Sequence, residues 1–288
     1  MVYLRKTKES DMASQLRDEV NMHMRLRGFS PRTIESYTHA YEELARYYMR
    51  PLDTLNCDDV QKFLDDLVSV RKLEWSTINV YFSAYRLLYE KILGWDKRRF
   101  SIPRRGRSGK LPGVLSQEEV KQLIRTHANI KHQALLAMIY GSGLRVSEAV
   151  ILRPVHIDRD RMMVLVVQGK GHKDRYTILS PVALDLLGKH WRLNGPADYL
   201  FFGRDRTRAM CSGTAQSVYY QALEKSGVRK VGGIHVLRHC FATHLMENGV
   251  DIYRIKRWMG HRALSTTARY MHVTREHMLK IKSPLDSL

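Results

Sequence analysis

A histidine and a tyrosine near the C-terminus form the pattern best suited to covalent chemistry. His261 follows Gly260, and Tyr270 comes nine residues later at the end of the segment 266–270. A tyrosine hydroxyl is a weak nucleophile at its ordinary pKa of about 10. Cations from elsewhere in the chain must therefore surround Tyr270 if it attacks a substrate, because they would stabilise the charge that develops.

Two segments could supply those cations. Arg145 lies in LRVSE (144–148), directly after a glycine-rich break, and His235 lies three residues before Arg238 in HVLRH. On a helix, residues three apart share one face. An arginine at a helix start is unfavourable for the helix dipole, but it can meet a phosphate together with backbone N–H groups. Taken alone, a surface ion pair between Arg145 and Glu148 explains the first segment better.

Lys170 lies in a glycine-bearing turn, 168–174, between two β-prone runs, 162–167 and 176–179. This arrangement predicts a β-hairpin with a basic tip. A lysine on such a turn can enter a groove and deliver a proton. Without other residues beside it, Lys170 would more often be a solvated turn cation.

The histidines give little indication of a metal. His239 and His244 are five residues apart and so do not share a helix face, while His235 and His239 have the better spacing but no third ligand. We therefore expect no metal site and no cofactor. The sequence also lacks a GxxxxGK[ST] loop for a nucleotide.

Four helices are predicted in residues 1–100. The first helix is indicated by an apolar stripe of Met12, Leu16, Val20 and Met24. The second begins at Ser30 and Pro31, and Asn56 caps the third. The fourth begins at Ser76 and ends at Gly94. We expect the tyrosines of the apolar stripes to pack inside this bundle and not to stack on bases.

A basic, proline- and glycine-rich linker is predicted at 101–113. It belongs to the most basic stretch of a chain whose net charge is +19, with 48 Lys and Arg against 29 acids. Such an excess favours binding to a polyanion. The linker could cross a DNA backbone or could equally be a solvated tether. The candidate DNA-binding residues lie in the linker and just before it, and they are Lys97, Arg98, Arg99, Arg104, Arg105, Arg107 and Lys110.

Residues 114–288 are predicted to form a second domain. A capping box at Ser116–Glu119 begins it, helices follow at 131–140 and from 146, and after the hairpin helices return from 181, at 212–225 and in short pieces over 234–282. The fold class is therefore mainly α with a small β-hairpin or sheet (α+β).

The composition excludes several classes of protein. No run approaches the roughly 18 apolar residues of a membrane span, and the N-terminus lacks the apolar region of a secretory signal. Three scattered cysteines predict neither a disulfide framework nor a zinc cluster. We expect a cytoplasmic protein.

Together, the ordered motifs LRVSE, GKG, HVLRH followed by FATHL, GH and the final tyrosine resemble the tyrosine recombinase (phage integrase) family. They span about 130 residues, and the N-terminal bundle resembles that family's core-binding domain. The resemblance implies a four-helix core-binding bundle followed by a tyrosine recombinase catalytic domain. The layout is most similar to simple two-domain recombinases, either Xer-like or transposon-borne.

The resemblance also implies a role for each residue. Arg145 and Arg238 would clamp the scissile phosphate, and His261 would donate a hydrogen bond to it. His235 would assist proton transfer at the nucleophile, Lys170 would be the general acid for the leaving 5′ oxygen, and Tyr270 would be the nucleophile. Cys240 stands where many members have serine.

The implied function is site-specific recombination or integration of DNA. The strands would break and rejoin through a 3′-phosphotyrosine intermediate, without ATP or metal. The expected partners are double-stranded DNA sites and further copies of the chain, which would form a tetrameric synapse through the C-terminal tail unless that tail docks in cis. Two alternatives are a DNA-relaxing enzyme similar to type IB topoisomerases and a catalytically inactive DNA-binding regulator on the same fold.

Overall fold

The computed structural model describes residues 16–96, 100–102, 113–167, 174–229, 232–261 and 263–268. The chain forms two compact units, Met1–Gly109 and Lys110–Leu288. In the described part of the chain, no helix has both the length and the apolar character needed to cross a membrane.

The N-terminal unit is helical. Its elements are α1 (residues 16–26), α2 (Pro31–Tyr48), a 3₁₀ turn (Leu52–Thr54), α3 (Cys57–Ser69) and α4 (Trp75–Tyr85), which continues as a π-helical stretch (Arg86–Ile92). The four predicted helices are therefore present.

Local hydrogen bonds explain where two of these helices begin. The Ser30 hydroxyl accepts the N–H of Thr33 at 3.2 Å, and Asn56 and Asp59 form a reciprocal capping box with distances of 2.9 and 3.1 Å. The predicted start of α4 at Ser76 was wrong. The helix begins at Trp75 after Glu74, and no side chain caps it.

Tyrosines hold the N-terminal core together, which confirms their predicted packing role. Tyr41 donates its hydroxyl proton to the carbonyl of Ala84, and Tyr85 donates to the carbonyl of Ala40, both at 2.9 Å. These two bonds join α2 and α4 in both directions. Burial raises the pKa of Tyr85 well above 10, so its hydroxyl stays protonated and available as a donor.

The C-terminal unit combines helices with one small sheet. Its elements are α5 (Gln117–Arg125), α6 (Ile130–Gly141), α7 (Val146–Val150), a 3₁₀ turn (Pro154–His156), β1 (Ile157–Asp158), β2 (Met163–Val166), β3 (Arg175–Ile178), α8 (Pro181–Asn194), α9 (Ser212–Ser226), α10 (His235–Glu247), α11 (Ile252–Met259) and α12 (Leu264–Ala268). The predicted α+β class is confirmed.

The sheet is antiparallel with the order β1-β2-β3. Val164 pairs with Thr177 and Leu165 with Tyr176, which confirms the predicted hairpin strands. Strand β1 was not predicted, because two residues are too few to show an alternating pattern. The turn at 168–173, which carries Lys170, lies outside the described residues.

The core of this unit is built around α6. Six consecutive residues of α6, Ala134 to Ile139, are buried, as expected for a helix that neighbours enclose on all sides. It packs against α5, α8, α9 and α10. Helix α10 is also buried over most of its length, and its buried residues include Arg238. A charged side chain inside this core requires an explanation.

Candidate active site

A buried carboxylate, Glu148 on α7, lies at the centre of the charged cluster. It contacts Arg145 at the start of α7 at 2.7 Å and Arg175 at the start of β3 at 2.7 Å. Arg238 on α10 lies 3.7 Å from the same carboxylate. Three cations from distant parts of the chain therefore converge on one acid.

The pKa of Glu148 reflects this environment. Burial would raise it, but the hydrogen bonds and charges of Arg175 and then of Arg145 outweigh that effect and lower the pKa to about 2. Glu148 is thus an anion across the physiological pH range. It can therefore hold the guanidinium groups in place throughout that pH range.

Arg145 is placed by the turn before α7. Its backbone N–H donates to Glu148 Oε2 at 2.8 Å, and its side chain is 23% exposed, so it can be reached from solvent. The preceding Gly143 has a φ of +61°, and a Cβ there would collide with the ring of Phe241. This turn therefore requires glycine, which explains the glycine-rich break before LRVSE.

Arg238 connects the turn before Arg145 with the turn before His261. It is 6% exposed, and its guanidinium donates to the carbonyl of Gly143 and to the carbonyl of Met259. The first carbonyl precedes Arg145 by two residues, and the second precedes His261 by two. One side chain thereby fixes the chain on either side of the cluster.

The two predicted site histidines, His235 and His261, lie in different surroundings. His235 is the first residue of α10, and its pKa is lowered by partial desolvation and then by the charges of Arg238 and Arg145, against the opposing charge of Glu148. His261 lies past the left-handed Gly260, as predicted. Its Nδ1 is 2.8 Å from the hydroxyl oxygen of Thr267, which orients the ring.

Comparison with known proteins decides the family. The phage integrase family profile matches residues 113–277, and the profile of the phage integrase N-terminal SAM-like domain matches residues 16–97. The chain belongs to the phage integrase family of tyrosine recombinases. It is an enzyme of the site-specific recombinase type.

Curated relatives match this recombinase over nearly its whole length. A putative integrase/recombinase of Sinorhizobium fredii, y4qK, is 34% identical over 97% of this chain and 91% of its own. The tyrosine recombinase XerA of Thermococcus kodakarensis is 34% identical over 91% of this chain and 92% of its own.

Solved structures show the same fold. A XerH site-specific recombinase bound to its difH substrate aligns with a TM-score of 0.70 at 22% identity, covering 94% of this chain and 85% of that one. The Tn1549 transposon integrase in complex with a circular intermediate DNA aligns with a TM-score of 0.69 at 16% identity, covering 92% and 99%.

Four of the six catalytic residues predicted for this recombinase lie in the described part of the chain. Arg145, His235 and Arg238 are brought together around Glu148. His261 follows the helix end that Arg238 holds. Lys170, Tyr270 and all seven predicted DNA-binding residues in and just before the linker fall outside the described residues.

Two residues of this charged cluster were missed or misplaced in the sequence analysis. The Arg145–Glu148 pair exists, but the surface interpretation was wrong, since Glu148 is only 6% exposed. Arg175 was not predicted at all. The alternation of side chains along a strand could have indicated that Arg175 points inward. Arg175 precedes the buried Thr177 by two residues and therefore lies on the same face of β3.

His244 and Cys240 on α10 have structural contacts. His244 donates from Nε2 to the carbonyl of Leu115 at 2.9 Å, and its Nδ1 lies 2.9 Å from the hydroxyl of Tyr140. The buried Cys240 accepts the N–H of Leu115 at 3.3 Å. Among the described residues, no group of three His, Cys, Asp or Glu side chains is arranged to hold a metal ion.

Proposed function

We propose that this recombinase cleaves and rejoins DNA strands through a 3′-phosphotyrosine intermediate on Tyr270. The observation that carries the proposal is the convergence of Arg145, Arg238 and His235 on the charged cluster around Glu148. In the proposed step, the Tyr270 oxygen attacks the scissile phosphorus, the bond from phosphorus to the 5′ oxygen breaks, and a free 5′ hydroxyl leaves. Reversal with another 5′ hydroxyl rejoins a strand, so the ester conserves the bond energy and no ATP is consumed.

The arginines suit the charge that this reaction creates. In-line attack on a phosphodiester concentrates negative charge on the nonbridging oxygens of the transition state. Preorganised cations stabilise such charge without further reorganisation. Arg238 is held by two backbone carbonyls and Arg145 by Glu148, so both guanidinium groups are fixed before substrate arrives. Each carries five N–H donors and can bind a phosphate alongside these contacts.

The two histidines and Lys170 would transfer protons and stabilise the remaining negative charge on the phosphate. The lowered pKa of His235 keeps its imidazole neutral near pH 7, so it can accept the phenolic proton. His261, oriented by Thr267, would donate a hydrogen bond to the phosphate. Lys170 would protonate the leaving 5′ oxygen.

Double-stranded DNA is the proposed substrate. The net charge of +19 supports binding to a polyanion. The XerH and Tn1549 proteins, which share the fold, were each solved with DNA. We assign the backbone contacts to the basic residues from Lys97 to Lys110, which would act irrespective of base sequence.

A nicked suicide substrate tests the proposal. Loss of a short fragment carrying the 5′ hydroxyl prevents rejoining, so wild-type protein should accumulate a covalent complex that survives denaturing electrophoresis. Tyr270→Phe should bind the same DNA and form no complex. A covalent complex that persists in Tyr270→Phe would refute the assignment of the nucleophile.

The same DNA chemistry could relax supercoils without pairing two sites. Plasmids carrying one or two recombination sites separate these outcomes. We expect recombinant products only from the two-site plasmid. Efficient relaxation of the one-site plasmid without recombination from the other would favour the topoisomerase-like alternative.

We further propose that the tail after Tyr270 links protomers into a tetrameric synapse. The basis is the sequence of residues 271–288, which lie outside the described structure: a short basic segment carries Val273, Met278, Leu279 and Ile281 and ends in SPLDSL. Truncation after His272 should abolish cooperative assembly on paired sites and preserve single-site binding in a mobility-shift assay. Unchanged assembly would contradict the proposal.

A further inference from the structure

Arg175 contacts both the carboxylate of Glu148 and the turn that precedes His261. We infer that Arg175 is a positioning residue that cancels the charge of Glu148, leaving the charges of Arg145 and Arg238 for the phosphate, and that also holds the turn before His261. This inference rests on the proposed function and deepens it.

The first part of the argument concerns charge. Arg175 binds both carboxylate oxygens of Glu148, with Nη1 at 2.9 Å from Oε1 and Nη2 at 2.7 Å from Oε2. Arg145 reaches the carboxylate through one side-chain nitrogen at 2.7 Å, and Arg238 lies farther away at 3.7 Å. The two-oxygen pairing is the strongest geometry for an arginine and a carboxylate. Arg175 is therefore the principal counter-ion of Glu148.

The consequence appears when the charges are compared. The three guanidinium groups and the Glu148 carboxylate together carry a net charge of +2, which would act on the phosphate. Without Arg175, the negative charge of Glu148 would be balanced by Arg145 and Arg238, and only one positive charge would remain. In a poorly solvated cluster this difference strongly affects an incoming anion.

The second part concerns the turn that carries His261. Arg175 Nε donates to the carbonyl of Trp258 at 2.8 Å. A Cβ on Gly260 would lie 2.9 Å from Arg175 Cδ, and Gly260 has a φ of +63°. The stem of Arg175 thus packs directly against the glycine that precedes His261, and its guanidinium fixes the end of α11.

The test compares variants in the suicide-substrate assay under single-turnover conditions. Arg175→Met removes the charge and keeps an apolar stem, while Arg175→Lys keeps a charge and loses the two-oxygen geometry. The double variant Glu148→Gln/Arg175→Met removes both members of the pair. Arg161→Met is the matched control, because Arg161 pairs with Asp158 on the same sheet with its side chain 80% exposed.

We expect Arg175→Met to form the covalent complex about 10- to 100-fold more slowly than wild type, the range expected for losing a hydrogen bond to a charged group. The deficit relative to wild type should shrink as the pH falls from about 8 to 5, because the pKa of Glu148 rises when Arg175 is absent and protonation removes the negative charge that Arg145 and Arg238 would otherwise balance. The double variant should show no such recovery. Arg161→Met should keep the wild-type rate.

A residue needed only for folding would give a different result. Arg175→Met with the wild-type rate, or with a deficit that is constant across this pH range, would overturn the charge argument. If Arg175→Met does not fold, Arg175→Lys and the double variant decide the test. Arg175→Lys should be about tenfold slower or more, since its ammonium cannot bind both carboxylate oxygens and the Trp258 carbonyl. A wild-type rate for Arg175→Lys would overturn the inference.

Failure of the proposed function would look different. In that case wild-type protein itself would form no covalent complex through Tyr270. A normal wild-type complex combined with unaffected Arg175 variants would refute only the role of Arg175.

Discussion

The two units of this recombinase place their charges differently. In the N-terminal unit, the ion-paired side chains of Arg71 and Arg86 are themselves 36% and 49% exposed. The core of this unit contains tyrosines that donate to backbone carbonyls. In the C-terminal unit, Glu148, Arg175 and Arg238 have side chains only 6 to 10% exposed. Among the described residues, the C-terminal unit has exposed ion pairs too, such as Arg161–Asp158, but it adds a cluster in which both the acid and its arginines are buried.

The difference indicates where function constrains the sequence. Burying ions requires their desolvation, and well-packed apolar residues often give equal or greater stability. In the described residues of the N-terminal unit, the core is built from apolar and tyrosine side chains, and the ion pairs each have an arginine that is at least 36% exposed. We therefore propose that the buried cluster of the C-terminal unit serves to bind a phosphate, which needs preorganised cations.

The largest expected effect comes from removing an arginine of the buried cluster. Arg145→Ala and Arg238→Ala should each slow covalent-complex formation by ~10²–10³-fold, the usual effect of losing one transition-state donor. Single-turnover assays on the suicide substrate measure this rate. Arg46→Ala, which removes an exposed ion pair of the N-terminal unit, should leave the chemical step unchanged at saturating protein. Equal loss in all three variants would remove the distinction between the units.

Stability provides a second comparison. Glu148→Ala should destabilise the C-terminal unit by about 3–5 kcal/mol, because it leaves buried cations without a counter-ion. Arg46→Ala should change stability by less than about 1 kcal/mol, as exposed pairs usually do. Urea denaturation followed by tryptophan fluorescence, with Trp191 and Trp258 in the C-terminal unit and Trp75 and Trp95 in the N-terminal unit, measures both. Similar losses would show that burial makes no energetic difference.

We expect His235 to set the pH dependence of the reaction. Its pKa is lowered below the ordinary value of 6.5, first by desolvation and then by Arg238 and Arg145. The imidazole is therefore neutral at pH 7, and the rate of covalent-complex formation should fall only when the pH drops below about 6.5. His235→Gln should be slower and should lack this acid limb. An acid limb that is unchanged in His235→Gln would assign it to another group.

The smallest expected effect lies in the N-terminal core. Tyr85→Phe removes the hydroxyl that binds the carbonyl of Ala40 and should destabilise that unit by about 1–2 kcal/mol, because a buried acceptor loses its donor. The rate of covalent-complex formation at saturating protein should not change. A large rate defect with intact DNA binding would show that the N-terminal core takes part in the chemistry.

Local signals in the sequence predicted much of the fold. The caps at Ser30, Asn56 and Ser116 were predictable because each side chain bonds a backbone N–H only three residues away. The π-helical stretch after α4 and the two-residue β1 were not predicted. Neither produces a periodic pattern that a sequence can display.

The candidate site was predictable in its residue types but not in its geometry. The motifs indicated Arg145, His235, Arg238 and His261, because Arg145 and His261 follow glycine-marked breaks, His235 and Arg238 have helical spacing, and all four match the order of the motifs in the tyrosine recombinase family. The burial of Glu148 and the contribution of Arg175 arise from tertiary contacts between α7, β3 and α10. No local pattern encodes which arginine of a basic chain will reach a given carboxylate.

Peptide mapping of the trapped complex tests the central claim most directly. After protease and nuclease digestion, mass spectrometry should find a nucleotide attached through its 3′ phosphate to Tyr270, with the released DNA fragment carrying a 5′ hydroxyl. A nucleotide attached to another residue, or a linkage through a 5′ phosphate, would contradict the account.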